Sequence, residues 1–474
     1  MLIPGINIYA QQYVGSIIEY KPAPGQYIND SYGRPSAAAS IVGVTNGLVT
    51  LGFYGGYIVV GFDEPVKNDP DNPYGVDFTV FGNASLGSSE PGIVMVMKDE
   101  NGNGKADDTW YELRGSDHFL SSVVKNYQIT YTNPGGATDV PWTDNLGNNG
   151  VVETNSFHTQ PYYPGDEYFP EIDQTSYTLS GTKLKDRTSQ GTFWVNYRFD
   201  YGYADNNPVN FGEPVDVPDN PYTLDVSEGC GGDAFDIDWA VDANGDPVSL
   251  DEIDFIKIYN GVAVNAGTIG EVSTEIAGIA TVTPNASITG STDVIVSNIP
   301  PNVGDFPVVM EFEWPVNQPF KFEAYVISKG RLNTGQNIRW TTSDAAIATI
   351  DATTGRMVGK KAGTVEITAI WELNTSISRS YTINITPSTS TGDIQDNERF
   401  SLWPNPATNN VTIQSARHSS DLLVEVFDVT GTKIMTIDRY SSGTKIDIGS
   451  LPPGMYILRL KTNDGLSTAR FVKH

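Results

Sequence analysis

"VMVMKDENGNGKADDTWYELRG", residues 94–115, sets two short runs of apolar and aromatic residues on either side of a polar segment crowded with Asp, Asn and Gly. Alternating runs joined by Gly and Asn read as a β-hairpin. The same texture extends in both directions: "GGYIVVGFDEP", "GVDFTVFGNA", "VKNYQITYTNP", "GTFWVNYRF" and "IDFIKIYNGV" are β-branched and aromatic runs bounded by Gly, Pro, Asn or Asp. Only "SAAASIVG" suggests a short helix, and no window sustains a helical period. The chain is all-β, and residues 11–280, which contain no linker-like stretch, form one large sandwich of two antiparallel sheets.

Composition narrows the function. In 474 residues, 57 acidic side chains face 29 basic ones, a formal net charge of -28. Such a chain repels phosphate backbones, so no nucleic-acid partner is expected. No apolar run reaches the length of a membrane span. The single cysteine, Cys230, rules out an intramolecular disulfide. The opening "MLIPGINIYAQQ", residues 1–12, reads either as the remnant of a signal peptide or as an ordinary first strand.

The hairpin's polar loop admits two readings. A twelve-residue calcium loop takes oxygen ligands at positions 1, 3, 5, 7, 9 and 12, with Gly at 6. Counting from Asp99, the chain offers Asp99, Asn101, Asn103, Gly104, the Lys105 carbonyl and Asp107, but position 12 is Trp110, which has no ligand oxygen. Asp108 or Glu112, or water, would have to close the shell. Otherwise the loop is a polar turn in which Asn and Asp tolerate left-handed backbone. Mutual repulsion of the aspartates favours calcium. A weaker second cation site is expected at Asp205, Asp233 and Asp236, with "FDIDWAVD" read as a strand that places Asp236 and Asp238 on one face.

Catalytic signals are sparse. In "GSDHF" Ser116, Asp117 and His118 are adjacent, and neighbours in one strand cannot form a Ser-His-Asp relay. The chain also lacks HExxH, P-loop and GxSxG motifs. No particular carboxylate pair stands out for glycoside hydrolysis. The chain is therefore read as a binding protein rather than an enzyme. In "SFHTQPYYPGDEYFP", Tyr162, Tyr163 and Tyr168 on a Pro-stiffened loop offer ring faces to a ligand, with Trp142 as a weaker candidate.

The later part of the chain divides again. In residues 283–387, "IRWTTSDAAIATIDATTGRMVGKKAGTVEITAI" resembles the bacterial Ig-like domain, group 2; the resemblance implies that Trp340 is the core tryptophan and that Gly363 sits in a tight turn. "STSTGDIQDNE", residues 388–398, is a linker. Residues 399–474, with "LWPNPATNNVTI", "VEVFDVTGTKI", "IDIGSLPPGMYILRL" and "ARFVKH" in that order, resemble the C-terminal sorting domain of type IX secretion, found in Bacteroidetes-type bacteria. That resemblance implies a small β-sandwich as a tail, a partner in the type IX machinery, and delivery to the cell surface or medium after signal-peptide export. Residues 11–280 resemble a group of secreted Bacteroidetes cell-surface proteins and, more remotely, jelly-roll, galactose-binding-like domains. These resemblances imply recognition of an extracellular glycan or small ligand, supported by calcium. The alternatives are a polysaccharide-active enzyme and a structural surface-layer component.

Overall fold

The computed structural model describes residues 11–473 apart from 210–220, 222–231, 284–291, 297–311, 388–399 and some shorter stretches. The linker at 388–398, Cys230 and all but two residues of the leader-like segment at 1–12 lie outside the described residues. Strands dominate, and their pairings are antiparallel; the alanine-rich stretch forms the five-residue helix Pro35–Ala39. Contacts divide the chain into two compact units, one reaching to Trp314 and including Gln318–Ile385, the other comprising Pro315–Asn317 and Thr386–His474.

The first unit is built on a six-stranded sheet in the order Ser16–Lys21, Tyr57–Lys67, Glu252–Asn260, Gly92–Met97, Tyr111–Leu113, Ala240–Val241. A four-stranded sheet (Ser176–Lys183, Val124–Thr132, Val140–Asp144, Asn149–Val152) and a three-stranded one (Asp233–Phe235, Phe78–Phe81, Gly278–Thr281) contribute to the same core. The central strands of the large sheet read as unbroken apolar runs because both of their faces are covered. Val94, Val96, Ile256 and Ile258 enter the main core. On the opposite face, Ile93 and Tyr259 join Leu184, Phe199, Tyr203 and Val262 in a second cluster.

The opening stretch is a hairpin. Met95 pairs with Glu112 and Val96 with Tyr111, and the loop 98–110 lies between them. "FDIDWAVD" departs from the expected single strand. Asp233–Phe235 is a strand, but Asp236 then caps the 3-10 turn Ile237–Trp239 by accepting from the Asp238 amide at 2.8 Å. A short acceptor side chain competes here with the sheet ladder and ends it. The turn carries Trp239 into the core.

In the Ig-like region, one sheet joins Phe312–Pro315, Ser378–Thr386, Gly363–Trp371 and Ile338–Thr342, and a second joins Pro319–Lys321, Arg356–Gly359 and Ala348–Ile350. Trp340 is buried and stacked on Phe322, with ring centroids 5.3 Å apart. Tyr325 packs edge-on against Tyr201 of the preceding region at 5.3 Å. The second unit has its own core of Val411, Ile413, Val424, Val426, Leu458 and Leu460 between a three-stranded and a four-stranded sheet. Among the described residues, no helix is long and apolar enough to cross a membrane.

Candidate functional site

Register places four side chains in one row on the large sheet. Val241 faces Glu112, Glu112 faces Met95, and Met95 faces Lys257. Directly opposed residues in an antiparallel sheet share a face, and this row floors a cavity of about 360 Å³. Trp110, His118, Phe119, Thr182 and Tyr259 wall it, and the turn 242–245 forms its rim.

Glu112 is the centre of the polar network. Its Oε1 accepts from His118 Nδ1 at 2.8 Å and from Lys125 Nζ at 3.0 Å, and its Oε2 accepts from the Thr182 hydroxyl at 2.6 Å. Burial alone would raise the Glu112 carboxyl, but the His118 hydrogen bond and the Lys125 charge hold it below the ordinary glutamate value. Burial lowers the Lys125 ammonium, with Glu112 opposing.

Lys125 reaches this position through a β-bulge. Tyr127 pairs with Gly181 and Val124 with Lys183, so Lys125 and Asn126 together oppose Thr182. Asn126 takes a positive φ of 54°. Such an extra residue twists a strand and re-aims its side chains. Gly181 is needed for the closeness of the wall, since a Cβ there would lie 2.6 Å from the Tyr259 ring. The neighbours in "GSDHF" diverge: Asp117 is buried against Arg187 at 2.8 Å, while His118 turns to Glu112.

The loop 99–108 gathers its oxygen-bearing side chains. Asp99 accepts from the amides of Asn103 at 3.1 Å and Gly104 at 2.7 Å. Asn101 and Asn103 both donate to Asp107 at 3.2 Å, and Asn101 also reaches Asp108 at 3.2 Å. Gly102 and Gly104 take φ of 67° and 70°, the left-handed turn that this wrapping requires. The candidate ligands thus share one hydrogen-bonded loop, while Glu112 points into the cavity network instead. Asp99, Asn101, Asn103 and Asp107, with Asp108 and the Lys105 carbonyl, are the groups a hard cation at this loop would have to use.

The second expected cation group does not assemble. Asp233 is buried and accepts from the Asn206 and Asn207 amides at 2.9 and 3.0 Å; burial pushes its carboxyl up to about 7. Asp236 serves as the cap described above. Among the described residues, Asp205 groups with Glu90 and Glu275, their oxygens within 4.8 Å of one another. It also accepts from the amides of Asn83, Ala84 and Glu275. Burial raises all three carboxyls; the Glu275 charge adds to the rise at Glu90 and Asp205, while hydrogen bonds, the one with Glu90 first, oppose it at Glu275.

The aromatic loop turns two of its expected ligand rings inward. Tyr162 and Tyr163 are 0% and 3% exposed and belong to the main core. Tyr163 packs edge-on against Tyr177 at 5.4 Å, and its hydroxyl donates to the Asp173 carbonyl. These rings fasten the loop and are not a platform. Tyr168 is partly covered by the Arg34 guanidinium 4.6 Å from its centroid, and Trp142 packs across Gly150. Phe157, at 77% exposure, is the outward ring of that loop.

Reading the sequence missed Lys125, Thr182 and Lys257. Lys257 did leave a signal, being a lone cation inside the otherwise apolar run "FIKIY". Lys125 and Thr182 left none, because a bulge brings them together.

Comparison with known proteins identifies the two later regions. Residues 315–375 match the bacterial Ig-like domain (group 2), and residues 401–474 match the secretion system C-terminal sorting domain. No curated protein matches the chain. Among solved structures, domains 5–6 of the S-layer protein SbsC are 12% identical, with 38% of this chain and 98% of that one covered and a TM-score of 0.14. The Yersinia pseudotuberculosis adhesin InvE is 11% identical over 39% of this chain and 58% of its own, with a TM-score of 0.14. Latent PorU from Porphyromonas gingivalis is 13% identical over 88% of this chain and 34% of its own, with a TM-score of 0.15. Likenesses at these scores carry no argument. The protein carries a group 2 bacterial Ig-like domain and a type IX sorting domain, and is exported by type IX secretion to the cell surface or extracellular space.

Proposed function

We propose that this secreted protein is a surface binding protein whose N-terminal region takes a small polar ligand in the cavity above Glu112, without chemistry, and that its 99–108 loop holds a structural calcium ion. The observation that carries the reading is the cavity wall: the rings of Trp110 and Phe119 beside a hydrogen-bonded polar set, Glu112 and Thr182 on sheet strands and His118 on a turn. Pockets of this kind combine ring contacts with a few oriented polar groups. Phe119 is 60% exposed beside the cavity, its ring edge-on to His118 at 4.7 Å. The matched Ig-like and sorting regions are non-catalytic domain types, in keeping with binding.

A glycan and small-ligand panel screened against the full chain, with Trp110→Ala as control, tests this. Binding that Trp110→Ala abolishes without changing the melting temperature is the expected outcome. Binding indifferent to Trp110 would place the site elsewhere, and no binding by any member would favour a structural role.

The Glu112–His118 contact favours one second reading, a hydrolase, since a carboxylate on Nδ1 orients an imidazole as a base. Against it, Lys125 Nζ lies 3.3 Å from His118 Nε2, where a base would have to act. Polysaccharide turnover lost in His118→Asn would establish the hydrolase.

A further inference from the structure

The charges lining the cavity point to a ligand class; this step rests on the binding reading above. Besides His118, four charged side chains line the space: Glu112, Lys125, Asp242 and Lys257. Glu112 and Lys125 pair at 3.0 Å. Asp242 is engaged by its own turn, accepting from the Asn244 and Asp246 amides at 2.8 and 3.0 Å. Lys257 is left over. Its ammonium lies 4.1 Å from the centroid of the Tyr57 ring, and among the described residues it forms no ion pair. Glu19 favours its charge from a distance, but that carboxylate accepts from the Tyr57 hydroxyl at 2.6 Å, and Lys21 opposes. Burial accordingly lowers the Lys257 ammonium.

A half-buried cation with a ring face but no counter-ion within ion-pair distance gains from an anion that meets it. In a chain of net charge -28 such a residue is conspicuous. The rest of the wall is not that of a bare anion site, because aromatic side chains and neutral hydroxyl groups line the same cavity. A cavity of about 360 Å³ suits a single ring-sized ligand. We propose that the cavity binds an acidic sugar unit, a pyranose bearing a carboxylate, with the carboxylate on Lys257 and the sugar face against Trp110.

The test is calorimetric titration of the full chain with glucuronic, galacturonic and mannuronic acids, with their neutral counterparts, and with acetate. At least one uronate is expected to bind about tenfold more tightly than its neutral partner, the usual effect of one charge-assisted hydrogen bond. Lys257→Met should abolish that preference, Lys257→Arg should retain most of it, and Trp110→Ala should weaken every sugar. Equal affinity for uronates and neutral sugars, unchanged by Lys257→Met, overturns the assignment and leaves the binding reading intact. Competition by acetate as strong as by uronate overturns the sugar component. Binding of none of these probes overturns the assignment outright, and the broader panel then decides the binding reading separately.

Discussion

Tyr162 and Tyr163 show how one residue type serves two roles according to burial. On the surface a tyrosine on a Pro-stiffened loop is a contact ring; in this fold both rings reach into the core. Truncation of Tyr162 to Ala is therefore expected to destabilise the N-terminal region by about 3–5 kcal/mol, measured by chemical denaturation. A change under about 1 kcal/mol would mean that the loop is not anchored by this ring. Sequence could not separate the two roles, because no periodicity within "QPYYPG" says which way a loop residue faces. Glu271 makes a second residue-scale expectation. Its carboxylate is buried, accepts from the Gln26 amide at 2.8 Å, and is pushed by burial up to about 8. Because the folded value lies above the unfolded one of 4.5, the group's contribution is fully present below that pH and is lost as pH rises through 8. The melting temperature should fall over this window, by up to about 1.4 kcal/mol of stability per pH unit from this group. Glu271→Gln should lessen the slope, the remainder coming from Asp233 and the other raised carboxyls, and an unchanged slope would show that Glu271 does not take up a proton on folding.

At the scale of elements, the hairpin 92–113 joins the two proposed roles. Its loop carries Asp99 and Asp107 and brings Trp110 to the cavity, and its second strand delivers Glu112. With a dissociation constant of about 0.1 mM, calcium at about 1 mM would add roughly 1.4 kcal/mol of stability. Asp99→Ala with Asp107→Ala should remove that increment, read as a difference in melting temperature between calcium and chelator. Identical curves for the unsubstituted protein would reduce the loop to an ordinary polar turn. The hairpin was legible because alternation, glycines and oxygen side chains all fall within 22 consecutive residues. The cavity was not legible: its row of Val241, Glu112, Met95 and Lys257 is set by pairing register among strands far apart in the chain. Asp236 was misread for a third reason, a local side-chain-to-amide bond that outcompeted the strand pattern.

Across the whole molecule, the sequence marks off its C-terminal tail more clearly than any other part, because a sorting signal must be self-contained to be recognised. The second unit buries its own core, and Glu425 is held between Lys433 at 3.0 Å and Arg459 at 2.6 Å inside that unit. Removing it takes no side chain from the cavity, whose lining belongs entirely to the first unit. Deleting residues 399–474 should thus separate delivery from folding. The shortened protein is expected to melt at the temperature of the first transition of the full chain, yet to accumulate in the periplasm instead of reaching the surface. Cell fractionation with protease shaving measures the second outcome and calorimetry the first. Surface display at normal levels by the shortened chain would mean that another segment carries the export signal. Loss of the first melting transition would mean that the cavity-bearing region depends on the tail for its fold.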